Sequence, residues 1–258
     1  MLTNTKTGLL FLLLLVFAAN VAETRWETSL HSGSPVSAAD YRDAYAVQQI
    51  EPGFINFEFH DKTPDWVTYA YSISYFAVFP AIALGVLIAL ARRPQLAPFR
   101  VLCLAVTADY LASLPWFLLF PVPERWAYPD SNAILLSDNW SSSLINSIRP
   151  VSALNNSFPS SHVSLTVIII AVCWLCHVRL RTTVTALGTM VIVATFVLGI
   201  HWLADILAGV AVGLLSVAVA WRCTDTSERL ELALESELAV VRKRPRAVRQ
   251  LAEAGMHF

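Results

Sequence analysis

Two histidines and an aspartate stand where apolar segments meet polar ones: His162, His201 and Asp205. Ionisable groups within membrane-length apolar runs cost several kcal/mol, so each one there calls for a role. Asp205 follows His201 at i+4, so on a helix beginning near His201 the carboxylate lies one turn along on the same face. Such a carboxylate fixes the imidazole tautomer through one ring nitrogen and leaves the other free for nucleophilic or basic work. Between His162 and His201 come one apolar run, a short turn at 179–181 and a second apolar run. Both imidazoles therefore emerge at the same end of a helical hairpin. His177, beside Arg179 at the opposite end, reads as an interfacial residue without a role.

The approach to His162 is also informative. Asn155-Asn156-Ser157-Phe158-Pro159-Ser160-Ser161 is a polar, proline-bearing entry into an apolar helix, with Ser160 or Ser161 as its N-cap. Free backbone N–H groups and the positive end of the helix dipole make such an entry an anion site. Arg125 and Arg149, in the loop that precedes it, could complete a phosphate cradle by bidentate contacts. Arg125, flanked by Trp126 and Tyr128, reads equally well as an interfacial anchor. Asp109 lies about ten residues from the far end of its run, which puts it about 15 Å deeper than the histidines, as a packing or hydrogen-bonded acid.

These groups need helices to carry them. The 258 residues are 56% hydrophobic and 14% charged, against about 25% charged in an average globular chain, so the main solvent is lipid. At about 20 residues per crossing, six runs qualify: 8–22, 67–91, 101–120, 162–178, 183–200 and 202–221. The last two adjoin and must break near Gly199-Ile200-His201. The predicted fold is all-α, a polytopic membrane bundle of about six helices.

The charges orient it. Lys6, Arg92, Arg93, Arg100, Arg179, Arg181 and the basic tail fall on one side, whereas the other side holds Arg25, Arg42, Lys62, Arg125, Arg149 and most carboxylates. Lys and Arg prefer the cytoplasm, so both termini are expected there, with 23–66 and 121–160 outward. Residues 1–22 suit a signal anchor or a cleaved signal peptide equally. Residues 23–66 are expected to form an external loop region, 67–221 the transmembrane domain and 222–258 a cytoplasmic tail. In that tail Leu230, Leu234, Leu238 and Val241 precede Arg242-Lys243-Arg244, which reads either as an amphipathic helix with a patch for anionic lipids or as a solvated helix. The four cysteines sit in or beside apolar runs and imply no disulfide framework.

Pro159-Ser160-Ser161-His162 and His201-x-x-x-Asp205, two helices apart, resemble the second and third motifs of the type 2 phosphatidic acid phosphatase superfamily, over roughly residues 67–221. The form Phe158-Pro159-Ser160-x-His162, with Phe120-Pro121-Val122-Pro123-Glu124-Arg125 upstream, is more similar to the inositol phosphorylceramide synthase branch. The chain departs from the pattern at Ala194 and Thr195, where the family usually carries Ser-Arg, and at Ser142, where it carries Lys. Either Arg125 and Arg149 replace those cations, or the substrate presents its phosphate differently, as in a phosphodiester.

The resemblance implies that His201 attacks phosphorus to give a phosphohistidine, Asp205 orients it, and His162 acts as acid and then base. The amides of Ser160 and Ser161, with Arg125 or Arg149, would hold the phosphoryl oxygens. No cofactor or metal is required, although His162, His201 and Asp205 would also be plausible metal ligands. The expected partner is a membrane lipid phosphate, with no nucleic acid. The expected activity is hydrolysis or transfer of a lipid-linked phosphoryl group at the outer membrane face. The alternative is a membrane protein that binds or transports a lipid phosphate without catalysis.

Overall fold

The computed structural model describes residues 2–30, 38–51, 63–137 and 154–224. Arg149, Ser142 and the proposed amphipathic, polybasic tail lie outside the described residues. The described residues form seven main helices: α1 Lys6–Leu30, α2 Ala38–Ile50, α3 Asp65–Ala91, α4 Ala97–Leu119, α5 Ser161–Leu175, α6 Arg181–Val197 and α7 Leu203–Arg222. A π-helical turn, Ser74–Val78, interrupts α3. No strand occurs among the described residues; the single β-bridge among them, Val122 to Asn156, is isolated.

Helices α1, α3, α4 and α7 are long and apolar enough to cross a membrane. Helices α5 and α6 are apolar but shorter, with 15 and 17 residues. At 1.5 Å per residue they reach roughly 22 and 26 Å, less than the ~30 Å hydrocarbon core. Leu14, Leu84, Leu119, Leu207 and Leu215 are exposed on the outside of the bundle, as suits helices whose neighbour is lipid. The expected six apolar helices are thus present in a polytopic helical bundle, and the protein is an integral membrane protein.

The first helix runs further than its hydropathy suggested. The apolar run ends at Ala22, yet α1 continues to Leu30 because its next polar turn is buried against other chain segments: Glu23 accepts a hydrogen bond from Asn156 Nδ2 at 2.9 Å. Residues 23–66 are also less loop-like than expected, since they contain α2 as well as the end of α1.

Lipid tails are as apolar as leucine, so helices in a membrane associate through close backbone packing rather than through the hydrophobic effect. In α7, Gly209 and Gly213 form a G-x-x-x-G face against α5. A Cβ on Gly209 would come within 2.7 Å of the Ser160 carbonyl, and one on Gly213 within 2.7 Å of the Ser164 carbonyl. Helix α5 is approached on another side by Gly188 of α6, whose Cβ would meet Ile170 Cδ1 at 2.8 Å. These contacts seat α5, which carries His162, beside α7, which begins two residues after His201.

The end of the bundle opposite the histidines holds cations on helix-terminal carbonyls. Lys6 Nζ donates to Ala91 O at 2.9 Å, Arg93 to Cys176 O at 2.6 Å and Arg100 Nε to Thr3 O at 2.9 Å. Leu9, Leu90, Phe99, Val101, Ile168 and Val172 pack in the core beside them.

Candidate active site

Three loops at the other end are laced together by main-chain hydrogen bonds. The segment after α4 donates from Glu124 N to Leu154 O (2.9 Å), from Arg125 N to Ile200 O (2.9 Å) and from Trp126 N to Gly199 O (3.0 Å). It also receives Ser157 N on Val122 O at 3.0 Å. The hairpin between α6 and α7 turns at Gly199, where φ is +76°, a conformation open to glycine without steric cost. This is the break expected near Gly199-Ile200-His201. The amides of Ile200 and His201 both donate to Thr195 O, at 3.2 and 3.0 Å, which tucks the histidine back over α6.

His201 and Asp205 meet as their spacing requires, with Nδ1 3.3 Å from Oδ2, both buried. A closer partner lies between them. Ser157 Oγ is 2.9 Å from His201 Nδ1 and 2.5 Å from Asp205 Oδ2. A hydroxyl has one proton, and the acceptor-only carboxylate takes it. Ser157 then accepts from Nδ1–H, and the His201 tautomer is fixed with Nε2 as the nitrogen left for chemistry. Asp205 Oδ2 also accepts from Trp202 N at 3.0 Å, so the same carboxylate caps its own helix. Among the described residues its other oxygen, Oδ1, is buried without a hydrogen-bond partner.

His162 stands across from this assembly, in the first turn of α5, its ring centroid 6.2 Å from that of His201. Its Nδ1 is also engaged, 3.3 Å from Tyr75 Oη, and Tyr75 and Phe79 lie against its ring at centroid distances of 4.5 and 5.0 Å. Ser160 is the N-cap, its Oγ accepting from Val163 N at 3.4 Å. Its own amide donates to Asp205 O at 3.1 Å and is therefore committed to joining α5 to α7. The amides left for an anion are those of Ser161 and His162, which precede the first bond within the helix.

Arg125 is buried, with its guanidinium over Phe196 (5.4 Å to the centroid) and Trp202 (5.9 Å), the residue after His201. Burial lowers its pKa, and the charge of Glu51 counters that shift. Glu51, just past α2, accepts a hydrogen bond from Ala204 N in the first turn of α7, and burial raises its pKa. Helix α2 is tied to the same loops by Asn155 Nδ2 donating to Asp40 (2.9 Å) and by Gln48 Nε2 donating to Asp130 O (3.0 Å). Ala44 and Val47 pack with Val122, Tyr128 and Trp202.

Asp109 is not three turns below the histidines. Ser164 Oγ donates to its Oδ2 at 3.0 Å, and Ser164 is only two residues beyond His162. The depth expected from sequence assumed that α4 and α5 end at the same level. Instead α4 continues for ten residues past Asp109, and α5 begins three residues before Ser164. The histidines are consequently recessed by ~10 Å from the Leu119 end of α4. Asp109 is a hydrogen-bonded acid, as expected.

The described helices and the paired histidines at their ends define an integral membrane protein with a recessed polar centre. The model of the PAP2 superfamily matches residues 98–229, and the chain belongs to that family. The family acts on phosphoryl esters as phosphatases and phosphotransferases. None of the curated proteins and none of the solved structures matches the chain.

Proposed function

We propose that the protein hydrolyses or transfers a lipid-linked phosphoryl group through a phosphohistidine on His201, at the outer membrane face. The observation that carries this reading is the pair of imidazoles with centroids 6.2 Å apart, each bonded at Nδ1 and each left with Nε2 for chemistry. A phosphoryl group between them meets a nucleophile on one side and a proton donor on the other.

His201 Nε2 attacks phosphorus, and the charge that develops on its ring is stabilised through Nδ1–H by Ser157 and Asp205. His162 Nε2–H gives its proton to the departing alkoxide. The neutral His162 then takes a proton from water or from an acceptor alcohol, which attacks the phosphohistidine and restores His201. The amides of Ser161 and His162, and Arg125 or Arg149, hold the equatorial oxygens.

The recess of ~10 Å favours a phosphate carried on a lipid that enters between helices. The absence of two family cations, at Thr195 and Ser142, favours a phosphodiester and hence transfer, the chemistry of the inositol phosphorylceramide synthase branch. The cations on the opposite bundle end support an outward-facing site by the positive-inside rule.

Purified protein, wild type beside His201→Gln, tests this on a panel of lipid phosphates and phosphodiesters with free phosphate and new lipid products followed together. Free phosphate from wild type alone marks a phosphatase, and a new phosphorylated lipid without free phosphate marks a transferase. Turnover by the variant would overturn the phosphohistidine.

A further inference from the structure

Helix α3, which lies outside the stretch that matches the family, reaches into the site. We infer that Tyr75 is a positioning residue for His162, accepting a hydrogen bond from its Nδ1–H and so holding Nε2 as the atom that gives and takes the proton. The inference rests on the proposed phosphoryl-transfer reading and adds to it the residue that sets the tautomer of the acid–base histidine.

Three observations support this. Tyr75 Oη lies 3.3 Å from His162 Nδ1, and the two rings overlap at 4.5 Å between centroids with 31° between planes. Phe79 lies 5.0 Å from the same imidazole, so its orientation is restricted by two aromatic side chains from α3. Both residues sit at the π-helical turn Ser74–Val78, Tyr75 within it and Phe79 directly after it. A π-turn inserts one residue into an α-helix and rotates the residues beyond it, which is how helices re-aim side chains at functional sites. Without that insertion the face of α3 carrying Tyr75 would turn by ~100° relative to the rest of the helix.

The proton inventory balances. With Nδ1–H donated to Tyr75 throughout, the imidazolium loses its Nε2 proton to the leaving alkoxide when the phosphorus–nitrogen bond forms on His201. The neutral ring then has its lone pair on Nε2 and recovers one proton from the attacking water or alcohol. Tyr75 keeps its own proton in every step. Ser157 and Asp205 hold the Nδ1 of His201 in the same way, so both imidazoles are set by the nitrogen that does no chemistry.

The test uses leaving groups. General acid catalysis matters for a poor leaving group and hardly for a good one, so kcat/KM is measured for hexadecyl and p-nitrophenyl esters, each as the phosphomonoester and as the methyl phosphodiester, in wild type, Tyr75→Phe and His201→Gln. Tyr75→Phe keeps the ring and removes the acceptor, and its melting temperature in detergent should match wild type. Its kcat/KM should fall about tenfold or more on the hexadecyl ester, part of the roughly 10²–10⁴-fold that general acid–base catalysis supplies, and less than about threefold on the nitrophenyl ester. An equal fall on both esters, or no fall, overturns the positioning role. If Tyr75→Phe melts early, 3-fluorotyrosine at position 75, a weaker acceptor of the same shape, must give the same selective loss or the inference fails. Activity retained in His201→Gln, or turnover of none of these mono- and diesters by wild type, overturns the underlying reading instead.

Discussion

Ser157 Oγ lies 2.5 Å from Asp205 Oδ2, closer than the 3.3 Å that separates His201 Nδ1 from the same oxygen. The serine therefore transmits most of the carboxylate's orienting effect. Ser157→Ala should lower kcat by about 10- to 100-fold, because a weaker direct His201–Asp205 contact remains. Asp205→Asn, which disturbs the tautomer itself, should cost closer to ~10⁴-fold, the size of effect seen when a triad carboxylate is neutralised. Single-turnover kinetics on the two variants check the order, and a Ser157→Ala enzyme with wild-type kcat would remove the serine from the mechanism.

Arg125 separates a phosphate ligand from an interfacial anchor. It is buried, stacked near Phe196 and Trp202, and within the field of Glu51. Lysine keeps the charge but not the planar fork. If the guanidinium holds phosphoryl oxygens, Arg125→Lys should reduce kcat/KM by at least about tenfold, on the scale of one lost charge-assisted hydrogen bond of roughly 1.5–3 kcal/mol. An anchor would show instead as a lower melting temperature with kcat/KM preserved.

The pairing of His162 with His201 could be read from sequence because it depends on helix counting alone: two apolar runs and a glycine-bearing break return the chain to the same end. The i+4 spacing likewise placed Asp205 beside His201. Ser157 and Tyr75 could not be found that way. Ser157 is aimed by a main-chain bond to Val122, a partner from another loop, and no local pattern encodes that lacing. Tyr75 depends on how α3 packs and on one π-turn, which hydropathy does not register. Asp109 lies nearer the histidines than its position in the run implies, because helix length says nothing about relative stagger. The polar end of α1 is not legible in hydropathy, because Glu23 is compensated by Asn156, far along the chain.

Glu51 makes stability depend on pH. Burial raises its folded pKa above the ordinary value of 4.5, with the Ala204 and Leu203 amides and Arg125 acting in the opposite sense. The folded state then binds more protons than the unfolded state, so this contribution is fully present below about 4.5 and is lost as pH rises through the folded value. Wild type should therefore lose melting temperature relative to Glu51→Gln across a window that opens near pH 4.5 and closes above it. Parallel melting curves for the two proteins in detergent would exclude Glu51 as the source.

The seating of α7 on α5 predicts opposite outcomes for two glycines. In Gly209→Ala the new methyl would come within 2.7 Å of the Ser160 carbonyl, main chain that also accepts the first in-helix bond of α5 from Ser164 N at 3.0 Å. The helices must separate, at a cost of about 1–3 kcal/mol for overpacking, and the Ser160 N to Asp205 O bond that joins them lengthens. Activity should fall with stability, since the same shift moves His162 away from His201. Gly85 in α3 has nothing within 4 Å of its Cβ position. Gly85→Ala should be neutral or stabilising by roughly 0.5–1 kcal/mol, because alanine loses less backbone entropy in a helix. Thermal melts of both variants with an activity assay decide the matter: a harmless Gly209→Ala would mean that α7 does not need this close approach to hold the site together.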